Sequence, residues 1–274
     1  MSPDDPRKSG YFGPIFVTFC HTVISARDRA TVFAAVTAVL LAATAKRASA
    51  CGASAGGAAG LAACSLSEHD EETRPKWHLA DSASLTLTAI RFDDGSRFEQ
   101  QRFNFVTTLD AMPVPKLALQ IGAGPAFPGT MNEGGEKFET NSGVVMLLGA
   151  SYRFVDSEGA RPYVLGTLGM TFLSMQTRGT LPSNARALYD AFDLRMGAVV
   201  GWTIGDWFSP YLLGRAFGGP VNWTHDGQKV TGTDVNHYQI GAGISAPLGR
   251  IADIFFEGVP LGEQGLSGGF GVSF

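Results

Sequence analysis

The residues best suited to acid–base or nucleophilic chemistry lie in polar segments near one predicted rim of the fold. A histidine beside a carboxylate can activate a serine or a water molecule for hydrolysis. The candidates are His225, Asp226, Asp234, His237, Ser142 and Asp193. No local motif of a protease or a lipid deacylase accompanies them, and polar loops collect such residues in any case. We therefore expect no catalytic site.

A second group consists of charged residues at alternate positions of segments otherwise made of small and apolar residues. Inside a closed fold these charges must pair, because an unpaired buried charge is costly. We favour a salt-bridge network that plugs the interior, and the alternatives are a narrow pore or a polar ligand site. The predicted lumen network contains Arg102, Arg153, Arg195, Arg215, Asp193, Asp253 and Glu257.

The composition does not indicate a cofactor, a metal site or a nucleic-acid partner. All three cysteines, Cys20, Cys51 and Cys64, precede residue 65, which excludes a disulfide framework and a cysteine-ligated metal in the rest of the chain. The glycine pairs in 122–124 and 241–243 lack the following helix that a phosphate-binding loop requires. With a net charge of −4 and scattered basic residues, the chain lacks the basic patch of a nucleic-acid binder.

Residues 1–50 read as an export signal. The apolar run Thr31–Ala45 follows Arg27 and Arg29 and precedes the small-residue site 48–50, so we expect cleavage near Ala50. An uncleaved membrane anchor is the alternative, although the run is shorter than the roughly 20 residues that a spanning helix needs.

Residues 51–81 are interpreted as a periplasmic linker, because the chain from Ser65 onward is polar and without period. His69 and His78 are expected to be solvated there. A sequence resembling a lipoprotein processing box ends at Cys64, and a poorer one ends at Cys51. We attribute both to chance in an alanine-rich stretch rather than to lipidation.

Residues 82–274 alternate between apolar and polar side chains over segments of about 8–13 residues. A tilted strand crosses a bilayer in about 9–11 residues. The polar face holds mostly glycine, serine, threonine, glutamine and asparagine, as an enclosed lumen would, whereas the outer face of a soluble β-sandwich is rich in charge. The segments are Ser82–Phe92, Phe98–Leu109, Leu117–Gly124, Gly143–Phe154, Arg161–Leu173, Asp193–Ile204, Pro210–Gly219, Asn236–Leu248, Ile251–Gly258 and Gly265–Phe274.

Three connections, Pro125–Ser142, Ser174–Phe192 and Pro220–Val235, are long and polar and fall on one side of such a sheet. Outer-membrane barrels have an even number of strands, short periplasmic turns and longer external loops. We predict an all-β fold, a transmembrane antiparallel up-and-down β-barrel of ten strands. Eight strands result if the first segment or the Ile251 segment does not pair. Aromatic residues near two short turns are predicted to form an interfacial girdle, namely Trp202, Trp207, Phe208, Tyr211, Tyr152, Phe154 and Tyr163.

The last ten residues alternate strictly and end on an aromatic residue, with Leu266, Phe270, Val272 and Phe274 on one face. This segment resembles the C-terminal strand of bacterial outer-membrane barrels, where such a strand serves as the assembly signal. Together with the repeated hairpins, it makes residues 82–274 similar to small opacity-type and porin-like barrels of Gram-negative bacteria. The resemblance implies an outer-membrane location, contact with membrane lipid and recognition of the terminal strand by the barrel assembly machinery.

From these features we expect a non-catalytic integral barrel whose external loops contact the environment and whose lumen is largely plugged. A narrow channel for small polar solutes is the second interpretation, and an outer-membrane hydrolase is the third. The sequence does not indicate which external ligand the loops would bind.

Overall fold

The fold consists of β-strands. The structure, a computed structural model, describes residues 77–114, 116–133, 136–156, 161–179, 186–204, 208–225, 228–249 and 251–274, so the predicted export region, the linker up to residue 76 and all three cysteines lie outside them. The strands are β1 Trp77–Phe92, β2 Arg97–Val114, β3 Leu117–Glu133, β4 Glu136–Val155, β5 Tyr163–Gly179, β6 Arg186–Gly201, β7 Ser209–Gly218, β8 Val221–His225, β9 Gln228–Asp234, β10 Tyr238–Leu248, β11 Ala252–Gly262 and β12 Gln264–Ser273. In the part of the chain that the structure describes, no helix is long and apolar enough to cross a membrane.

Ten of these strands form a closed antiparallel ring in chain order, β1 to β7 followed by β10 to β12. The ring closes where β1 pairs with β12, from His78 opposite Ser273 to Leu87 opposite Gln264. Trp77 and Phe274 extend this seam by exchanging two backbone hydrogen bonds of 2.9 and 3.1 Å. A closed ring leaves no unpaired sheet edge, as a membrane-spanning sheet requires. The predicted ten-stranded barrel is confirmed, and the eight-stranded alternative is wrong.

The outer surface carries an apolar belt. Outward-facing residues of β5 between Val164 and Phe172, and of β4 between Val144 and Phe154, are nearly all apolar and form part of it. These stretches match the roughly 9–11 residues needed to cross a bilayer. The inward and outward faces of the predicted segments agree with the structure throughout this belt.

The two ends of the barrel differ. At the end that we call the turn end, short connections join β2 to β3, β4 to β5, β6 to β7 and β10 to β11, and the described chain begins and ends there. The opposite end is called the loop end. Exposed aromatic side chains surround the turn end, as in an interfacial girdle, and they are Trp77, Tyr152, Phe154, Trp202 and Phe274.

Tyr163 and Tyr211 were predicted for this girdle, and the structure corrects this prediction. Both side chains are buried in the lumen, because they alternate with the outward-facing Val164 and Leu212. Trp207 lies outside the described residues.

At the loop end the wall extends beyond the apolar belt, since β2 to β6 contain 16 to 20 residues each. The polarity of the wall is reversed in this extension. Lys137 and Glu139 face outward and are exposed, whereas Phe138 between them is buried inside. The predicted loops Pro125–Ser142 and Ser174–Phe192 are therefore largely strand. These segments resemble loops in sequence because their polar residues form the outer face of the wall above the apolar belt, where the wall contacts water.

The third predicted loop, Pro220–Val235, contains the hairpin formed by β8 and β9. β8 pairs with β6, from Val221 opposite Ala191 to Thr224 opposite Leu188. β9 pairs with β1 over Ile90–Phe92. At this level the ring consists of β1 to β6, β8 and β9, so the wall narrows from ten strands to eight. A Cβ at Gly219 would overlap the carbonyl of Phe192, so the step from β7 to β8 requires glycine.

β1 begins at Trp77, five residues before the predicted domain boundary at residue 82. Trp77 and Leu79 face outward, while His78 and Ala80 are buried. The apolar–polar alternation of residues 77–81 is hard to recognise in the sequence. A polar segment precedes it, and Asp81 places a charge on the outward face, so the stretch resembles a linker.

Candidate functional site inside the barrel

Five of the seven charges predicted for the lumen lie in one layer, which we call the charged layer. They are Arg102 on β2, Asp193 and Arg195 on β6, Arg215 on β7 and Glu257 on β11. Nη2 of Arg215 lies 3.0 and 3.1 Å from the two carboxylate oxygens of Glu257. Arg195 pairs with Asp193 through Nε, and its guanidinium lies 4.9 Å from the ring centroid of Phe217. Opposite charges from four strands thus meet across the bore.

Glu263 completes this layer, although it lies between the predicted segments Ile251–Gly258 and Gly265–Phe274. Nη2 of Arg195 lies 3.1 Å from one of its oxygens, and Nη2 of Arg102 lies 3.4 Å from the other. Gln239 also donates a hydrogen bond to Glu263, at 2.7 Å. Gly262, with φ near +84°, forms the tight turn that brings Glu263 inward. Charge balance could have revealed it, because three arginines and two carboxylates leave one arginine without a partner.

Arg153 and Asp253, the other two predicted charges, do not belong to the charged layer. The guanidinium of Arg153 lies 5.5 Å from the ring centroid of Tyr163, and its Nη1 lies 4.0 Å from Asp156 near the turn end. Asp253 pairs with a histidine of β1. The predicted network is therefore divided between separate places in the lumen.

The histidine that contacts Asp253 is His78, which the sequence analysis placed in a solvated linker. Its Nε2 lies 2.8 Å from Asp253 and its Nδ1 lies 3.3 Å from Asp110, and all three side chains are fully buried. We call this group the seam clasp. His78 of β1 reaches Asp253 of β11 by passing over Gly271 of the terminal strand that lies between them. A Cβ at position 271 would overlap the imidazole. The seam clasp therefore stabilises the pairing of β1 with β12, where the ring closes.

Replacement of Gly271 by alanine is expected to displace His78 and separate it from Asp253. Loss of a buried hydrogen-bonded pair lowers the free energy of unfolding by about 2–4 kcal/mol. The measurement is the temperature at which the detergent-extracted barrel shifts from its folded to its unfolded migration on a gel. Gly258→Ala is the control, since its Cβ would meet its nearest neighbour at an ordinary 3.9 Å. Equal transition temperatures for the two variants would contradict the role of the clasp.

The loop-end half of the lumen is filled by an apolar cluster, which we call the outer plug. Trp223 of the β8–β9 hairpin lies near its centre, with ring centroids 5.7, 5.1 and 5.2 Å from those of Phe92, Phe98 and Phe138. Its indole N–H donates a 2.8 Å hydrogen bond to Thr177. The buried members are Ile90, Phe92, Phe98, Val106, Ala126, Met131, Phe138, Val145, Leu147, Leu173, Met175, Ala187, Tyr189, Val221 and Trp223.

A second apolar cluster, the inner layer, fills the lumen toward the turn end. Its members are Met112, Ala118, Tyr163, Leu165, Val199, Tyr211, Leu213 and Val259. The Tyr211 hydroxyl donates to Glu257 at 3.2 Å and so links the inner layer to the charged layer. A cavity of about 60 Å³ lies beside the charged layer, lined by Asn104, Asp193 and Arg102 among others. It has room for a few water molecules.

The catalytic candidates that the structure describes do not assemble into a site. Asp193 pairs with Arg195, and Asp234 accepts a 2.9 Å hydrogen bond from Thr88. The imidazole of His237 forms no hydrogen bond or ion pair with any residue that the structure describes, although the His237 carbonyl accepts a 3.0 Å hydrogen bond from the Phe217 N–H. Ser142 is exposed on β4. His225 ends β8, and Asp226 lies outside the described residues. Across the same residues, no group of three or more metal-ligating side chains is arranged to hold an ion.

The predicted assembly residues all lie on the outer face of the terminal strand. Leu266, Phe270, Val272 and Phe274 are exposed, and they border the seam between β12 and β1. Their position makes them available to lipid and to a protein that approaches the seam from outside.

Comparison with solved structures finds other barrels. The translocator domain of the autotransporter NalP from Neisseria meningitidis is 11% identical with a TM-score of 0.45, over 74% of this chain and 90% of that chain. The transport unit of the autotransporter AIDA-I from Escherichia coli is 10% identical with a TM-score of 0.42, over 76% and 93%. The outer membrane protein OprG from Pseudomonas aeruginosa is 11% identical with a TM-score of 0.39, over 73% and 96%.

No protein-family model matches the sequence, and no curated protein matches it. The chain has the fold of a small outer-membrane β-barrel. Because the three TM-scores are below 0.5, its function is inferred from its own geometry.

Proposed function

We propose that this chain is an integral outer-membrane barrel with a closed bore, which acts through its loop end and is not an enzyme. The observation that carries the proposal is the filling of the lumen. The outer plug, the charged layer and the inner layer follow one another along the bore, and the charged layer is cross-linked by ion pairs between strands. Such a bore leaves little space for a continuous column of water.

We orient the loop end toward the outside of the cell and the turn end toward the periplasm. Short turns are periplasmic in barrels of this kind. In this orientation the terminal strand presents Leu266, Phe270, Val272 and Phe274 to the assembly machinery, and the apolar belt contacts membrane lipid. The wall extension then stands above the membrane as a rigid polar surface, and its short connections contact the environment.

The pairing of the candidate catalytic acids supports a non-catalytic role. A histidine base needs a carboxylate to orient it and a nucleophile within hydrogen-bond reach. Asp193 pairs with Arg195 and Asp234 accepts a hydrogen bond from Thr88, and neither carboxylate forms a hydrogen bond or ion pair with His237.

A narrow channel is the second candidate, and one observation favours it. The β8–β9 hairpin contributes Val221 and Trp223 to the outer plug, yet β8 pairs with β6 over four residues and β9 pairs with β1 over three. Outward movement of this hairpin would withdraw Trp223 from the outer plug and open the lumen to the outside.

Conductance across a planar bilayer distinguishes the two candidates. We expect no open-channel steps from the wild-type barrel. In a variant with its native cysteines replaced by serine, Leu188→Cys with Thr224→Cys joins β6 to β8 and fixes the hairpin when oxidised. The control, Leu188→Cys with Gln176→Cys, joins β6 to β5 and leaves the hairpin untethered.

A closed barrel stays silent with either disulfide formed or reduced. Steps in the wild type that disappear when β6 is joined to β8, and persist when β6 is joined to β5, would overturn the closed-bore proposal in favour of a channel gated by the hairpin.

A further inference from the structure

Two arginines stand side by side on the outer wall near the loop end. Arg91 of β1 and Arg97 of β2 are directly opposite each other, on the last residue pair before the turn at Gly95. Both side chains face outward and are exposed. Directly opposed side chains have Cβ atoms about 5 Å apart, and like charges in this arrangement are destabilising.

No carboxylate that the structure describes forms an ion pair with Arg91 or Arg97. Asp94, at the tip of the turn, receives hydrogen bonds of 2.6 Å from the Ser96 hydroxyl and 2.9 Å from the Ser96 N–H. These bonds lower the pKa of Asp94 and hold its carboxylate at the turn. The nearest outward-facing acid along β2 is Glu99, two residues from Arg97. The two guanidinium groups therefore repel each other, and no residue that the structure describes neutralises either of them through an ion pair.

Their height relative to the membrane is set by the apolar belt. Leu87 is an exposed apolar residue of β1, and Arg91 follows it by four residues. With a rise of about 3.4 Å per residue and a tilt of about 40°, Arg91 lies about 10 Å above Leu87. The headgroup layer on each side of a bilayer is about 5–8 Å thick. A long arginine side chain that bends toward the membrane reaches this layer.

A surface groove adjoins Arg91. It is lined by Arg91, Asp93, Pro220, Gly232 and Thr233, at the step where the ring narrows from ten strands to eight. The Thr233 hydroxyl adds a hydrogen-bond donor beside Arg91, because the two residues are opposite each other in the β1–β9 pairing. Asp93 is the acid in this lining, and its charge opposes the binding of an anion.

We propose that Arg91 and Arg97 form a binding site for a phosphate group, either on a lipid headgroup or free in solution. A phosphate placed between the two guanidinium groups accepts charge-assisted hydrogen bonds from both and removes their mutual repulsion. Guanidinium geometry suits this role, because its planar fork matches phosphate oxygens. The lipid source depends on the proposed membrane embedding, whereas the site itself does not depend on whether the bore is closed.

The test measures retention of a phosphomonoester lipid by the detergent-extracted barrel. Native mass spectrometry after exposure to phosphatidic acid is compared with exposure to phosphatidylcholine, which lacks a phosphomonoester. Inorganic phosphate forms a separate arm, in which the unfolding temperature is compared with that in chloride at equal ionic strength. We expect the wild type to bind phosphatidic acid or inorganic phosphate about tenfold more tightly than a variant with Arg91→Gln and Arg97→Gln.

Three further variants separate a specific site from a general charge effect and test the repulsion between the two arginines. Lys229→Gln removes an exposed cation of β9 that is opposite Thr224 and not opposite another cation, and we expect it to leave binding unchanged. Glu99→Gln removes the acid beside Arg97 and should strengthen binding. Without phosphate, Arg97→Gln should not lower the unfolding temperature, because it relieves repulsion.

A response to phosphatidic acid alone identifies a lipid site, and an equal response to inorganic phosphate identifies a site for the free anion. Equal binding by the wild type and the double glutamine variant in both arms would overturn the proposal. Conductance by the wild-type barrel would contradict the closed bore and leave this result unaffected.

Discussion

Replacement of Trp223 by alanine is expected to remove the centre of the outer plug and lower the free energy of unfolding by about 3–5 kcal/mol. The indole is 3% exposed, packs against Phe92, Phe98 and Phe138 and donates a hydrogen bond to Thr177. Its loss leaves a cavity among rings from three other strands, and the hydroxyl of Thr177 loses a partner. Equilibrium unfolding in guanidinium, followed by circular dichroism, measures the change.

Trp223 also attaches the β8–β9 hairpin to the rest of the loop end. The charged layer and the inner layer do not contain Trp223 and still fill the bore, so the alanine variant should stay silent in a planar bilayer, as the wild type does. Trp202→Ala is the matched control, since that side chain is 38% exposed toward the lipid and touches no part of the plug. If Trp223→Ala unfolds like the wild type, the indole does not stabilise the outer plug. If the variant conducts, the charged layer and the inner layer do not close the bore.

Replacement of Arg195 by leucine is expected to cost about 3–5 kcal/mol of folding free energy, because it leaves Asp193 without its cation and leaves Glu263 with only the 3.4 Å contact to Arg102. Arg195 pairs with Asp193 and with Glu263, and the side chain of Glu263 is 1% exposed. The same unfolding measurement applies. An exposed charge removed by Arg178→Leu should change stability by less than about 0.5 kcal/mol.

A second substitution tests whether the cost comes from the uncompensated charge. Adding Glu263→Gln to Arg195→Leu removes a buried carboxylate that has lost one of its two arginine partners, while keeping a hydrogen-bonding side chain of similar size. We expect this double variant to be more stable than Arg195→Leu alone, with a coupling free energy of about 1–3 kcal/mol. Additive losses from the two substitutions would show that the charges act independently.

The belt region of the fold could be predicted from the sequence because each position there faces either lipid or lumen. Leu194, Met196 and Ala198 against Arg195 and Gly197 form a pattern with one interpretation, and the structure places them accordingly. The extension above the belt could not be predicted in the same way. Around Phe138 the apolar residues turn inward and the polar ones outward, so the segment has the composition of a loop while it pairs as a strand.

The sequence predicts which charged side chains point into the lumen, but it does not predict which of them pair with each other. Their inward direction follows from alternation, whereas their partners depend on how far each strand is shifted relative to the next. Thus Asp253 and Arg215 both face inward, yet Asp253 lies beside His78 and Arg215 lies beside Glu257. Glu263 was not predicted, because a turn has no apolar–polar alternation from which the direction of a side chain could be inferred. The conformation of Gly262 directs the Glu263 side chain into the lumen.

The reversal of polarity along the strands has a consequence for how far the barrel can sink into a membrane. Below the reversal, β4 offers lipid Val144, Met146 and Leu148, and above it β4 offers Lys137 and Glu139. Pushing the barrel deeper would carry those charges into hydrocarbon, and pulling it outward would expose leucine and methionine to water. Both displacements raise the free energy of the embedded barrel. The outer face of the wall therefore fixes the depth at which the barrel sits in the membrane.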